Sequence, residues 1–225
     1  LPAEIRGKFD AINSKLKPRC IVLQNAWLFA QWPHRFLDDA ENYQDRHMAL
    51  DNARVNAVNA ILTNRGFSGI EALAKTTKSP SVVGRALSMA TGDEYIEAVI
   101  PAKLEGDADA RQFAGGFVCN CFYPNQWDWG DRAVERCTTE DSKAWLLAVL
   151  PFSPGAWQRA LQAGPTVDKL YWERCQPFNS HLESDDVRYA VTRLVENGRV
   201  GWAIDLLSMA LHGKCVIDDE TLFCP

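Results

Sequence analysis

Apolar residues recur every three or four positions along almost the whole chain, which is the spacing of amphipathic helices. Five such stripes are Ile5, Phe9, Ile12 and Leu16; Leu50, Ala53, Ala57, Ala60 and Ile61; Val82, Val83, Ala86, Leu87 and Ala90; Ile96, Val99, Ile100 and Leu104; and Phe113, Ala114, Phe117, Val118 and Cys121. Apolar and polar residues alternate nowhere over a stretch long enough to predict a β-strand. The pattern therefore predicts an all-α protein.

Residues typical of helix ends divide these stripes. Ser79-Pro80 and Ser153-Pro154 combine an N-cap with a proline at the first helical position, and Thr138 followed by Asp141 predicts a further helix start. Glycines that end helices follow several stripes, namely Gly66, Gly92, Gly106, Gly164, Gly198 and Gly213. Connections of about two to six residues make successive helices antiparallel neighbours. We therefore expect a stack of antiparallel helical hairpins.

The clearest predicted hairpin is the last one. Its stripes are Val187, Ala190, Val191, Leu194 and Val195 and, after the turn Asn197-Gly198-Arg199, Val200, Ala203, Ile204, Leu207 and Leu211. Small Ala190 and Ala203 would let the two helices approach closely. This hairpin, RYAVTRLVENGRVGWAIDLLSMALHG, resembles a tetratricopeptide repeat.

A looser resemblance covers most of the chain. SPSVVGRAL, QWDWGDRAVE, LLAVLPFSPGAWQRAL, VDKLYWERCQPF and YAVTRLVENGR are similar to helical-repeat regions of large bacterial multidomain proteins. The resemblance implies an irregular α-solenoid, a TPR/HEAT-like α-α superhelix, and supplies no catalytic residue. We interpret residues 1–225 as one helical-repeat domain, with N-terminal helices in 1–65 and hairpins in 66–225. Because the chain starts at Leu1 and ends soon after apolar Leu222 and Phe223, we interpret it as a piece of a longer protein.

Charge and composition exclude several classes of function. The 225 residues carry a net charge of −5; residues 1–65 have nine basic and seven acidic side chains, and residues 66–225 have fifteen and twenty-two. Nucleic-acid binding needs a basic face, so it is not expected, although binding through the basic first part stays an alternative. No apolar run approaches the ~20 residues of a membrane span. Seven irregularly spaced cysteines are typical of reduced thiols and indicate a cytoplasmic protein.

Known catalytic and ligand motifs are missing from the sequence. There is no HExxH, no G-x-S-x-G and no phosphate-binding glycine loop, and Gly115-Gly116 are expected to permit close helix packing. Cys119-x-Cys121 lacks zinc-site spacing. The one mixed cluster is His212, Cys215 and Cys224 with Asp218 and Asp219. We predict no catalytic residue, metal or cofactor. The alternative is a hydrolase or transferase that joins a cysteine with His181 or His212.

Aromatic residues near predicted turns are the candidate binding residues. Tyr123, Trp127 and Trp129 surround the turn-like Pro124-Asn125-Gln126, and Trp172 and Trp202 lie off their helical stripes. Such side chains either pack between helices or anchor a partner. Arg199, with Arg188 and Arg193, would then contact a carboxylate-bearing peptide at the rim. The sequence thus predicts a non-catalytic interaction, scaffold or sensor module, whose partner is a protein, a peptide or another domain of its parent chain.

Overall fold

The computed structural model describes residues 18–30, 43–178 and 182–212, together with the single residues Ile5 and Pro33. These residues form ten α-helices, one 3₁₀-helix and no strand, which confirms the all-α prediction. The elements are α1 (Ile21–Asn25), the 3₁₀-helix (Ala26–Phe29), α2 (Tyr43–Thr76), α3 (Pro80–Thr91), α4 (Ile96–Leu104), α5 (Ala108–Glu135), α6 (Glu140–Val149), α7 (Pro154–Gln162), α8 (Pro165–Arg174), α9 (Ser184–Glu196) and α10 (Val200–His212).

The predicted helix starts are correct to within one residue. Ser79 and Ser153 precede α3 and α7, each with proline in the first turn. Before α6 the N-cap is Thr139 and not Thr138. The reason is a reciprocal capping box, in which Ser142 N–H donates to Thr139 Oγ1 (3.1 Å) and Thr139 N–H donates to Ser142 Oγ (3.2 Å). The Thr138 hydroxyl instead donates to Glu105 Oε1 (2.6 Å) and does not cap the helix.

Most of the predicted helix stops coincide with a left-handed backbone. Positive φ angles occur at Gly66, Gly92, Gly164 and Gly198, whereas Gly106 has none and Gly213 lies outside the described residues. Gly66 (φ 63°) divides the long α2 into two helical parts. Gln126 (φ 49°) divides α5 in the same way, at the turn that Pro124-Asn125-Gln126 predicted.

The chain forms two compact units, and the first comprises Ala108–Phe117 with the described residues of Leu1–Gly92. In this unit α2 packs on α1, the 3₁₀-helix and α3. Arg54 on α2 donates from Nε to the carbonyl of Leu28 (2.9 Å) and from Nη2 to that of Ala30 (3.1 Å), which holds the 3₁₀-helix in place. Helix α3 lies very close to the start of α5, because a Cβ on Gly84 would stand 1.9 Å from the Phe113 carbonyl oxygen.

The second compact unit comprises Asp93–Asp107 and the described residues of Val118–Pro225. Helix α6 packs on α4, α7 and α8, while α9 packs on α8 and α10. Large buried side chains fill its centre, among them Phe152, Trp157, Tyr171, Trp172, Leu194 and Leu206. The candidate binding groove described below lies entirely in this unit.

The predicted last hairpin is present, but α10 is rotated from the expected orientation. Its buried residues are Ala203, Leu206 and Ala210, whereas Ile204 and Leu211 of the predicted stripe are exposed. The prediction failed because α10 is apolar on most of its circumference, so periodicity does not select one side. Small Ala203 remains buried, as expected for a close approach to α9.

Candidate functional site

A groove of about 310 Å³ in the second unit is the best candidate for a binding site. One wall comes from α5, one from the end of α6 and the extended residues after it, and one from the segment that follows α8. The lining residues are Tyr123, Trp145, Ala148, Val149, Leu150, Pro151, Phe152, Arg174, Gln176 and Phe178. Five of these are aromatic rings or proline, so the groove offers a rigid apolar surface.

Prolines explain why two of these walls are not helical. Helix α6 ends at Val149, and Leu150, which precedes Pro151, has an extended backbone (ψ 163°). Helix α8 ends at Arg174, and Cys175, two residues before Pro177, is also extended (ψ 150°). Proline lacks the N–H of a helix and disfavours helical angles in the residue before it. Both helices therefore end next to the groove, and side chains of the extended residues that follow them line it.

Two aromatic side chains of the groove are unusually exposed. Tyr123 is 64% exposed and Phe178 is 66% exposed, and both line the same groove. A contiguous exposed apolar surface with a polar rim is typical of binding sites. Tyr123 also combines a flat apolar ring with a hydroxyl that can form hydrogen bonds, which makes it a frequent anchor in interfaces.

Arg174 brings a charge to the groove wall. Its guanidinium lies 4.9 Å from the centroid of the Trp145 ring, and its Nη2 donates to the Asp141 carboxylate (2.5 Å). Its Nη1 donates to the Asp141 backbone carbonyl (3.2 Å). These contacts hold the guanidinium in one place, so it can act as a preformed positive group.

Two of the predicted binding residues are connected to the groove through Phe178. The Trp202 ring packs edge-on against Phe178, with centroids 5.6 Å apart. The Arg199 guanidinium lies 5.1 Å from the Trp202 centroid. Arg199 Nη1 also donates to the carbonyls of Trp172 (3.1 Å) and Cys175, so it caps the end of α8. The structure therefore gives Arg199 a structural role that the sequence did not predict.

The other predicted tryptophans are not available to a partner in the way expected. Trp129 and Trp172 are 1% and 0% exposed, so the prediction that Trp172 faces a groove is wrong. Trp172 is buried because α6, α7 and α9 all pack on the short helix α8, whose solvent side carries Thr166, Lys169 and Glu173 instead. Trp127 is partly buried against Gly155, with Arg159 4.0 Å above its ring.

Arg188 and Arg193 form ion pairs within the chain. Arg193 pairs with Asp168 and, at 3.0 Å, with Glu196, and Arg188 lies 3.4 Å from Asp185. Asp168 is buried and also accepts a hydrogen bond from Trp172 Nε1 (3.1 Å). Arg193 thus joins α8 to α9.

The thiols differ strongly in their electrostatic environment. Burial raises the pKa of Cys137 to about 11 and that of Cys175 to about 12, and it also raises the pKa of Cys119. By contrast, hydrogen bonds from the backbone of Leu23, and secondly of Val22, lower the pKa of Cys20. Arg65 Nη1 lies 3.5 Å from the Cys20 sulfur. Of these four thiols, Cys20 is thus the one that ionises most readily.

Within the described part of the chain, no contact joins a cysteine to a histidine. His212 Nδ1 lies 2.7 Å from the Ser208 carbonyl oxygen, and His181 lies outside that part. The described residues contain no group of three or more His, Cys, Asp or Glu side chains placed to hold a metal ion. Of the predicted mixed cluster, Cys215, Cys224, Asp218 and Asp219 lie outside the described residues.

Of the ten lining residues, sequence reasoning named only Tyr123 as a binding residue, and it missed Trp145, Arg174 and Phe178 among the rest. Pro151 and Pro177 were the available signal, because a proline just after a helical stripe marks an extended segment. The structure thus defines an all-α protein with an aromatic groove that contains one arginine. Comparison with protein-family models, with curated proteins and with solved structures finds no match. Among the described helices, none has both the length and the apolar character required to cross a bilayer.

Proposed function

We propose that this chain is a non-catalytic protein-interaction module, a scaffold or sensor within a larger bacterial cytoplasmic protein. The groove in the second unit holds a short segment of a partner protein. The observation that carries this proposal is the exposure of Tyr123 and Phe178 on the lining of one groove. Removal of a large aromatic side chain from water is energetically favourable, so a partner that covers these two rings binds more tightly.

The size of the groove favours side chains of a peptide over a large cofactor. Its volume of about 310 Å³ is at the lower end of the range for small-molecule sites, which begins at ~300 Å³. A space of this size accommodates one or two side chains. The rest of the bound segment would lie along the surface next to Gln176 and Tyr123, whose polar groups can bond to its backbone.

The packing of neighbouring helices supports a solenoid-like arrangement within the second unit. Helix α6 contacts both the next helix, α7, and the one after it, α8, while α9 contacts its two neighbours α8 and α10. Contacts of both kinds are typical of stacked hairpins in tetratricopeptide- and HEAT-like repeats. Such repeats commonly bind peptides through residues of successive hairpins, and the groove is built from α5, α6 and the end of α8.

Selection from a displayed library of random peptides tests the proposal. The wild-type chain is the bait, and each enriched peptide is measured again by fluorescence anisotropy. We expect the double variant Tyr123→Ala/Phe178→Ala to weaken binding roughly tenfold or more, because two exposed anchors are removed. Leu161→Ala is the matched control, since Leu161 is an exposed apolar residue of α7 that does not line the groove.

All three replaced side chains are exposed, so far-UV circular dichroism and the melting temperature should not change. Enriched peptides that bind the double variant as tightly as the wild type would contradict the proposal. So would a failure of the library to yield any peptide with saturable binding.

A further inference from the structure

We propose that the partner segment carries an acidic side chain beside its apolar residues and that Arg174 binds this carboxylate at the groove wall. The inference rests on the proposed function, because it names the chemistry of the peptide in the same groove. It makes Arg174 the residue that determines specificity, while Tyr123 and Phe178 provide apolar contact.

The lining of the groove carries one charge, which is positive. Arg174 is the one charged residue in the lining, and the other nine lining residues are apolar or uncharged. Arg199 lies next to this wall, since its guanidinium contacts the Cys175 carbonyl and the Trp202 ring that packs on Phe178. Within the described part of the chain, Arg174 pairs with the Asp141 carboxylate, whereas Arg199 contacts two carbonyls, the Cys175 sulfur and the Trp202 ring. The two guanidinium groups beside this wall thus meet one carboxylate, and a carboxylate on the partner would complement the remaining positive charge.

The geometry of Arg174 suits recognition of a carboxylate in an apolar setting. The Trp145 ring supports one face of the guanidinium, which limits its rotation and excludes water from that side. Charge-assisted hydrogen bonds are stronger where water is partly excluded. A partner's aspartate or glutamate next to an aromatic or aliphatic residue would place its carboxylate on Arg174 and its apolar neighbour on Tyr123 or Phe178.

Asp141 is an internal competitor for the same guanidinium. Its side chain is 43% exposed, whereas that of Arg174 is 19% exposed. Asp141→Asn removes the competing negative charge and keeps the backbone carbonyl that accepts from Arg174 Nη1. The variant should therefore increase the affinity for an acidic peptide and leave the affinity for a neutral one nearly unchanged.

An array of short synthetic peptides tests this specificity with the full 225-residue chain. Each peptide contains two aromatic or aliphatic residues and one glutamate, and stands beside a twin with glutamine at the same position. All peptides are acetylated and amidated, so only the side chain supplies a carboxylate. We expect the best glutamate peptides to bind the wild type about fivefold more tightly than their twins. Arg174→Gln should abolish this preference and Asp141→Asn should increase it.

The outcomes separate the inference from the proposed function. If glutamate and glutamine twins bind equally, and both lose affinity in Tyr123→Ala/Phe178→Ala, the groove binds peptides and the role of Arg174 is wrong. A glutamate preference that survives Arg174→Gln also overturns it. If no peptide binds, both proposals fail. Because Arg174→Gln removes an ion pair, its fold is checked by circular dichroism, and Asp141→Asn provides a test that leaves the arginine in place.

Discussion

Replacement of Gly84 by alanine should destabilise the first unit by opening the contact between α3 and α5. A Cβ at this position would lie 1.9 Å from the carbonyl oxygen of Phe113 and 3.0 Å from the backbone N of Phe117. A comfortable carbon–oxygen contact is about 3.3 Å or longer. The obstacle is backbone and not a flexible side chain, so the two helices would have to separate by more than about 1 Å.

The magnitude follows from two opposing effects. Alanine is intrinsically better than glycine inside a helix by ~1 kcal/mol. Overpacking of a close-packed core usually costs ~1–3 kcal/mol. A clash between the added Cβ and the backbone of the facing helix belongs at or above the upper end of that range. Separation of the helices would also loosen Val83, Leu87 and Phe117, all of which are fully buried. We therefore expect a net loss of about 2–3 kcal/mol, which corresponds to a melting temperature lower by about 4–12 °C.

The assay is thermal unfolding followed by far-UV circular dichroism, with Gly201→Ala as the matched control. Gly201 is also inside a helix, α10, but an added Cβ would meet nothing within 4 Å. This control should therefore keep or increase the stability, by up to ~1 kcal/mol. A Gly84→Ala variant that melts at or above the wild-type temperature would refute the close packing of α3 against α5.

Two further predictions concern the thiols. At neutral pH, Cys20 should react with iodoacetamide before Cys137 and Cys175, because its lowered pKa gives more thiolate. Peptide mapping by mass spectrometry measures the rate at which each cysteine is labelled. Faster labelling of Cys137 or Cys175 than of Cys20 would contradict the prediction. Unfolding by urea should become easier as pH rises from about 9 to 12. In this window unfolded Cys175 ionises near its ordinary pKa, whereas folded Cys175, with a pKa of about 12, ionises only at the upper end. By pH ~10.5 this residue lowers the free energy of unfolding by about 2 kcal/mol, so the stability of Cys175→Ala should depend less strongly on pH. If the free energy of unfolding fell equally steeply with pH in both proteins, this role of Cys175 would be excluded.

Helix positions were predictable because they depend on local chemistry. The Ser-Pro starts of α3 and α7 and the break at Gly66 follow from caps and backbone angles that involve only neighbouring residues. The expected role of Gly115-Gly116 is confirmed for Gly116, whose added Cβ would lie 1.9 Å from the Ser81 carbonyl oxygen. The buried side of α10 was not predictable in this way, since apolar Ile204 and Leu206 lie on different sides of the helix and tertiary packing selects only Leu206.

Exposure of aromatic side chains depends on contacts between distant parts of the chain, which explains the mixed outcome for the candidate site. Trp172 and Tyr123 share a sequence feature, because each follows another aromatic residue and has a proline within the next five positions. Yet three helices enclose Trp172, whereas Tyr123 stands where α5 breaks and remains in water. The groove joins Tyr123 to Phe178 across 55 positions, and no local pattern encodes that proximity. Local sequence thus identifies candidate aromatic residues, and tertiary packing determines which of them stay exposed. Variants at Tyr123, Phe178 and Arg174 therefore test the binding hypothesis more directly than variants at the buried tryptophans.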